Sequence, residues 1–464
     1  MSLFPAFRRG RGRRLSAIAG PVLRPADADY AAELAAFNTA VALRPGLVVG
    51  ATNEADVAAA ICVAAADGLP VAVKGAGHGV TADTAAPVLI STRRLDAVDV
   101  DVRARTARVG AGACWSAVVR AAAPHGLAPL CASSTAGGVA GYTLGGGLGV
   151  FGRRFGFAAD HVRRLRLVTA DGRPHEIDAD RAPELCWALR GGGARGFGVV
   201  TELEFALFPV SRWYGGGLFL PGEAAAEVLH AWREWAPGLP DEVGTSVALR
   251  RLPDDPALPR DPALPHTADL RGRTVVHLRY AHCGPDAEAR AAAALLAPMR
   301  AIAAPLLDDV RERGCAETDA LHREPTAPAA LHDAGVALRE LPSQAVDALL
   351  AVAGPEVPSP LDLVELRWMG GALARPAAVP NVVAGRTAAC SLYARGPVPT
   401  WAGASTAVSR VVEAVAPWSL GGALPNFAGV GPPEALWSLG DRVRLRVLRH
   451  AVDPDGMFAA ERSG

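Results

Sequence analysis

Lysine is almost missing from this sequence. Lys74 stands alone, and the other 46 of the 47 basic residues are arginine. Charge of one sign is missing too, because 47 acidic residues balance the 47 basic ones. A balanced chain has no long-range field to draw nucleic acid or an anionic membrane surface, so neither is expected as a partner. No apolar run approaches the roughly 18–20 residues that a membrane span needs. No CxxC pair occurs among the seven cysteines, which stand at 62, 114, 131, 186, 283, 315 and 390. Structural zinc of the usual spacing is therefore excluded, no metal site is expected, and the thiols read as reduced and mostly buried. The N-terminus carries Arg8, Arg9, Arg11, Arg13 and Arg14, but the stretch after them is too short for an export signal and runs into Pro21 and Pro25. It reads as a basic leader on a cytoplasmic protein.

What the sequence has in abundance is alanine, arginine, glycine and proline, a bias that GC-rich coding produces without functional cause. At 464 residues the chain exceeds one ordinary hydrophobic core, so at least two domains are expected. From Pro45 to about Val210 short β-type runs alternate with helical ones. Leu47-Val48-Val49 precedes an Ala-rich helix that Asn53 can cap, with Asp56 three positions on. Pro70-Val71-Ala72-Val73 is a short strand that breaks into Lys74-Gly75-Ala76-Gly77-His78-Gly79. Further strands are expected at Val88–Ile90 and Thr106–Val109, and a helix over Trp115–Ala123. Asp171-Gly172 reads as a hairpin turn between Val162–Thr169 and Pro174–Ile177. After Pro209 the texture changes. Strands are expected at 246–252, 274–280, 361–369 and 387–393, helices at 287–298 and 342–352, a surface loop at 253–265 and a last helix over 433–450. This is the pattern of a second, α+β domain on an antiparallel sheet.

Three glycine clusters carry the chemistry. The densest has seven glycines in the thirteen positions from Gly137 to Gly149. No ordinary helix or strand tolerates that density, which suits backbone passing close to something flat or phosphorylated. Backbone N–H groups in such loops converge on anions, and the loops at 75–79 and 135–141 suit a pyrophosphate. Neither is a GxGxxG opening a long helix, so a Rossmann site is a poor fit. The combination is more specific than its parts. Gly75-Ala76-Gly77-His78-Gly79, followed by Ser134-Thr135-Ala136-Gly137-Gly138-Val139-Ala140-Gly141-Tyr142 and the triple glycine, resembles the berberine-bridge-enzyme-like FAD-linked oxidases of the vanillyl-alcohol-oxidase fold. Arg153–Asp160, Leu185–Gly193, Phe197–Thr201, Gly370-Gly371, Pro425-Asn426-Phe427 and Asp453–Phe458 keep the family order.

The resemblance implies an α+β fold: a two-part PCMH-type FAD-binding domain with an inserted substrate domain, built on an antiparallel sheet covered by helices. The parts are expected at 1–40 (leader and first helix), 41–212 (FAD domain), 213–414 (substrate domain) and 415–464 (the return to the FAD domain). It implies FAD held covalently through His78 alone. Ser134 occupies the register where many relatives place a second, cysteine tether, and Cys131 lies three residues out of step. The implied cofactor-binding set is His78, Lys74, Gly75, Ala76, Gly77, Gly79, Ser134, Thr135, Ala136, Gly137, Gly138, Gly141, Tyr142, Val199, Val200 and Asn426. Gly137 falls where a side chain is thought to control oxygen access. Arg195 departs from the family, in a segment that usually carries Asn. Phe427 departs too, standing where a catalytic tyrosine is frequent.

A replacement base should then come from the substrate-domain sheet. In Val364–Met369 the period of two puts Glu365 and Arg367 on one face, and Ser391 and Tyr393 share a face in the next strand. Tyr393 is the first choice as base, followed by Tyr142, Glu365 and Arg367, whereas His161 reads as structural. For Glu365 and Arg367 the competing reading is a simple pair on a solvated face. The implied activity is hydride transfer from a small polar alcohol, sugar or secondary metabolite to flavin, with O2 as acceptor and H2O2 as product. A same-fold dehydrogenase or cyclase, or a flavin binder without catalysis, stays open as an alternative. The sequence sets neither the substrate nor an oligomeric state.

Overall fold

Two strands of the first sheet are too apolar to face water on either side. All four residues of Leu47–Gly50 and of Val88–Ser91 are buried, as expected of parallel strands covered on both faces. They pair in parallel, and Val71–Lys74 joins Val88–Ser91 in the same sense. Val22–Leu23 closes the other edge antiparallel. The helix Glu54–Ala66 covers this sheet, and the Asn53 side chain accepts from the Asp56 N–H at 2.9 Å. The computed structural model describes residues 15–79, 86–254, 270–284, 289–397, 401–429 and 433–458. The arginine leader to residue 14 and the 253–265 loop beyond residue 254 lie outside that set.

A second, wholly antiparallel sheet runs in the order Val98–Asp101, Thr106–Gly110, Val199–Ala206, Val162–Val168, Pro174–Ile177. Its hairpin turns at Asp171-Gly172, with Gly172 at φ 75°. Val162, Leu165 and Leu167 point into the core while Arg163, Arg164 and Arg166 point out, the alternation of a half-buried sheet. The third sheet is the largest. Its order is Leu307–Asp308, Arg212–Pro221, Thr274–His282, Val243–Arg251, Leu363–Trp368, Cys390–Pro397, Leu331–Leu338, and Arg311–Gly314 also pairs with Arg212–Pro221. One face of it is apolar: Val247, Leu249, Leu278, Val364, Leu366 and Leu392 pack under the helices Ala225–Trp235, Ala289–Arg300, Ser343–Ala353 and Trp401–Ala414. The opposite face is polar and buried.

The sequence pattern misses four strands of this sheet, the short Leu307–Asp308 and Arg311–Gly314 and two long ones, the long ones for physical reasons. Arg212–Pro221 contains Gly215-Gly216-Gly217, which lowers strand propensity. Those glycines are needed: a Cβ at Gly217 would lie 2.3 Å from His277 Nε2 on the neighbouring strand. Leu331–Leu338 contains His332-Asp333-Ala334-Gly335, with no apolar alternation to announce it. The last helix also begins later than expected, at Leu439, where the Ser438 side chain caps it through the Asp441 N–H; residues 433–436 form a single 3-10 turn instead. This helix returns to the first lobe, where Leu445 packs in one core with Trp187 and Phe197. Beyond it the Met457 carbonyl accepts from the Val71 N–H at 2.9 Å.

Arg153, just after the triple glycine, ties the lobes together. Its guanidinium donates to the carbonyls of Val243 (2.7 Å), Leu239 (3.0 Å) and Met369, with 5% of the residue exposed. Each of those carbonyls would be left buried without a donor if the side chain were shortened. Arg153→Met, which keeps the stem, is expected to destabilise by ~3 kcal/mol and to lower the thermal midpoint by at least ~3 °C. An unchanged melting curve would show that the guanidinium does not hold the lobes.

Candidate functional site

The two glycine loops meet. A Cβ on Gly138 would lie 3.0 Å from the Ala76 Cβ, so the turn after Val71–Lys74 abuts the start of the helix Val139–Leu144. The second loop is stitched down by backbone bonds from Trp115 N–H to Gly137 O and from Ser116 N–H to Thr135 O, at 3.0 and 2.8 Å. In the first loop Gly77 takes φ 83°, and a Cβ there would lie 3.1 Å from the Ala36 Cα. Among the described residues, the N–H groups of Ala76, Gly77, His78 and Gly79 make no hydrogen bond. Successive free amides in a glycine turn are an anion-binding arrangement. Gly79 and Gly141 have open space where a Cβ would stand. His78 is exposed, stacks on Phe37 at 4.8 Å, and desolvation holds its pKa below the ordinary histidine value. Its ring is therefore neutral at pH 7.

Several expected members of this set have other tasks. Lys74 is 3% exposed and its Nζ donates to the Glu33 carbonyl at 3.1 Å. This corrects the expectation of a phosphate-facing cation. Val199 and Val200 are buried in two apolar cores, so their side chains offer nothing to a ligand. Asn426 uses both ends of its amide as a clasp, accepting from the Gly147 N–H at 2.9 Å and donating to the Tyr142 carbonyl at 3.1 Å. Thr135 is tied across the lobes: its N–H and hydroxyl both donate to the Asp319 carboxylate. Cys131 is 2% exposed, lies 3.5 Å from the Thr318 hydroxyl, and burial pushes its pKa up to about 11. A buried, protonated thiol is a poor second tether. The Tyr142 phenol donates to the Cys131 carbonyl at 3.1 Å, and burial raises its pKa far above the usual value. His161 bonds the Phe155 carbonyl at 2.7 Å, the structural role expected of it.

The parity read from the sequence holds in the large sheet. Glu365 faces Tyr393 and Arg367 faces Ser391 across one ladder, all on the polar face. That face is not solvated, which removes the reading of a simple surface pair. Glu365 has no exposed surface; Arg279 donates to one of its oxygens and Arg367 to the other, the latter at 2.9 Å. Burial alone would raise its pKa, but Arg279, then Arg367, then His322 outweigh it and hold the carboxyl well below the usual range. A carboxylate so held is a weak proton acceptor, which corrects its place among the candidate bases. Arg367 also donates to Ser133 Oγ at 2.9 Å and lies 4.8 Å over the Phe427 ring. The polar face thus reaches the loop before the second glycine cluster.

Tyr393 has a partner the sequence did not reveal. Its hydroxyl donates to Asp333 at 2.8 Å, from the neighbouring strand. Desolvation raises the Asp333 pKa, and burial followed by the Asp333 charge raises that of Tyr393. The pair is therefore a neutral phenol on a carboxylate with heightened basicity. Asp333 went unseen because its strand went unseen.

Residues 45–178 match a family model described as an FAD binding domain. Among curated proteins the chain is similar to (R)-6-hydroxynicotine oxidase of Paenarthrobacter nicotinovorans, 30% identical over 234 residues, 50% of this chain and 48% of that protein. It is also similar to berberine bridge enzyme-like 8 of Arabidopsis thaliana, 30% identical over 230 residues, 45% of this chain and 41% of that one. The chain spans about half or less of the length of these relatives. Among solved structures, BBE-like 1 of Physcomitrella patens superposes with a TM-score of 0.80 at 18% identity, over 97% of this chain and 98% of that one. The expected resemblance is borne out at the level of domain and fold. Among the described residues no helix is long and apolar enough to cross a membrane, and no cluster of three metal-ligating side chains occurs. The glycine loops fit FAD, since free amides in one loop suit a pyrophosphate and His78 stands exposed beside them.

The electrostatics of Glu365 give a testable expectation. Glu365→Gln leaves two buried guanidiniums without their carboxylate and should cost ~3–5 kcal/mol. The folded pKa lies below the unfolded glutamate value of about 4.3, so this stabilisation is complete above that value and fades as pH falls below it. Denaturant unfolding of both proteins should show a gap constant above about pH 5 and narrowing below about pH 4. A gap independent of pH would mean the charge of Glu365 is not what stabilises.

Proposed function

We propose that this chain, which has the fold of berberine-bridge-enzyme-like flavoproteins and an FAD binding domain at 45–178, is an FAD-linked oxidase of a small polar alcohol. The observation that carries the reading is the meeting of two glycine loops with a buried polar sheet face that presents the Tyr393–Asp333 pair. The chemistry supplied by FAD there is acceptance of hydride from a substrate C–H, with O2 taking the electrons to give H2O2. The alcohol loses one hydride and one proton and becomes a carbonyl. Ala76–Gly79 hold the pyrophosphate through backbone amides, and Ser134–Gly138 line the second wall. Gly137, which lacks a side chain, leaves the approach of O2 open.

Tyr393 takes the substrate hydroxyl proton while its own proton passes to Asp333. The raised basicity of Asp333 makes that transfer favourable, and the phenol fixes its direction. Support for an oxidase over a dehydrogenase or cyclase comes from the relatives: one is named a 6-hydroxynicotine oxidase. Hydrogen peroxide formation under air with a turned-over substrate tests this choice.

Two expectations follow. His78 carries the covalent bond and carries it alone, because the ring is exposed and Cys131 is buried. Acid-precipitated protein should stay yellow, and its intact mass should include one FAD. His78→Ala should release all colour on precipitation, and Cys131→Ala should release none. Flavin retained by denatured His78→Ala would overturn the attachment.

The second concerns the proton acceptor. Tyr393→Phe keeps the ring, and Asp333→Asn keeps the shape. Each should leave flavin content unchanged and slow anaerobic flavin reduction at least tenfold, ~1.4 kcal/mol of barrier, within the roughly 100- to 10,000-fold range of general-base help. Since the two act as a unit, the double variant should be no slower than the worse single one. Reduction within about twofold of wild type in both would make the pair structural.

A further inference from the structure

Buried donors are nearly always partnered in folded proteins. On the polar face of the large sheet several are not, and four of them line one space. Arg279 Nε, Arg367 Nε, Ser246 Oγ and His322 Nδ1 have no hydrogen-bond partner, and their residues are 1%, 9%, 4% and 4% exposed. All four residues line one cavity of about 40 Å³, closed on the other side by Leu148, Gly149 and Val150, which follow the triple glycine. A space of that size holds two or three waters, or one carboxylate group with its first carbon. Arginine Nε–H groups only donate, so the occupant must offer acceptors.

The charges narrow the choice. Glu365 is shared by two guanidiniums of the cavity wall, Arg279 and Arg367. Burial, and then Arg367 and Arg279, push the His322 pKa well below the ordinary value, so its ring is neutral. Two guanidiniums thus share one carboxylate at the cavity wall. Arg250, on the same strand and face as Ser246, makes no hydrogen bond among the described residues, and burial with Arg279 pushes its pKa down to about 10. Glu324 and Asp362, the other acids that bear on Arg250, are both paired with Arg395, so at the cavity itself Glu365 is the only carboxylate bonded to the guanidiniums of Arg279 and Arg367 among the described residues.

We infer that this cavity is a carboxylate subsite, and that the alcohol oxidised here is a small hydroxy acid or an acidic sugar whose carboxylate lies between Arg279, Arg367 and Ser246. The substrate-class part of this rests on the flavin-oxidase reading above; the anion-binding part does not.

The test uses the flavin-loaded protein and two simple probes, acetate and its neutral counterpart acetamide. Trp368 lines the cavity, so tryptophan fluorescence reports occupancy. Acetate should quench it saturably and bind at least tenfold tighter than acetamide. Ser246→Ala removes an unsatisfied buried hydroxyl, so the melting temperature should hold or rise, while acetate affinity falls about tenfold. Arg279→Gln should weaken acetate further; if it does not fold, Ser246→Ala still decides. Equal binding of acetate and acetamide, or acetate binding indifferent to both substitutions, overturns the subsite.

Anaerobic flavin reduction then separates a substrate carboxylate from a free anion. Across a panel of hydroxy acids and their amides, the acids should reduce flavin at least tenfold faster. Acids and amides reacting alike would assign the cavity to a free anion and overturn the substrate class. If no member of the panel or of a neutral sugar panel reduces flavin while acetate binds, the oxidase reading fails and the subsite stands.

Discussion

A carboxylate with no exposed surface can stay charged only if its surroundings answer it fully, and the polar face of the large sheet is arranged around that requirement at Glu365. Two guanidiniums meet its two oxygens. Arginine does this better than lysine would, because a planar fork holds an oxygen while its other nitrogens stay free to donate to further acceptors. Arg367 shows the use of that surplus: one nitrogen reaches Glu365 and another Ser133 in the first lobe. The charge network therefore does more than neutralise a carboxylate. It fixes the distance between the substrate sheet and the loop leading into the second glycine cluster.

The same economy recurs along the seam between the lobes. Asp319 takes both donors of Thr135, Arg153 gives its guanidinium to four carbonyls, and Asn426 clasps Gly147 to the Tyr142 carbonyl. Each tie joins a glycine-rich loop, which has little side chain of its own to pack, to a rigid strand or helix elsewhere. A loop that must leave its amides free for a ligand gives up internal hydrogen bonds. The seam contacts supply the order that those loops cannot supply for themselves.

How much of this was legible depends on which physical signal each residue carried. Strand parity follows from a period of two, so the common face of Glu365, Arg367, Ser391 and Tyr393 was readable before any coordinates. Asn53 was readable as a cap for the same kind of local reason. The depth of that face was not readable, since nothing in Val364–Met369 says whether its polar side meets water or another lobe. Burial is a property of what packs on top, here the segment carrying Asp319 and His322, more than 40 residues earlier in sequence. That single unknown reversed the role of Glu365 from candidate base to structural anion. Asp333 was invisible because its strand lacks apolar alternation, and Lys74 was misread because its partner, a backbone carbonyl at Glu33, leaves no mark in sequence.

Phe427 joins these observations. Its ring lies 5.7 Å edge-on from Tyr393 and 4.8 Å beneath the Arg367 guanidinium. A hydroxyl on that ring would stand between a phenol–carboxylate pair and a cationic cluster, and would offer each a competing hydrogen bond. An apolar ring cannot take part in either, and its π face meets the cation favourably. The absence of a phenol at 427 thus need not leave the site without a base. It leaves the Tyr393–Asp333 hydrogen bond without a competing hydroxyl, while the guanidinium that bears on the pair is Arg395, on the strand of Tyr393. The Glu365 cluster and the Tyr393–Asp333 pair are thus separate hydrogen-bond networks on one sheet face, with an apolar ring in contact with both.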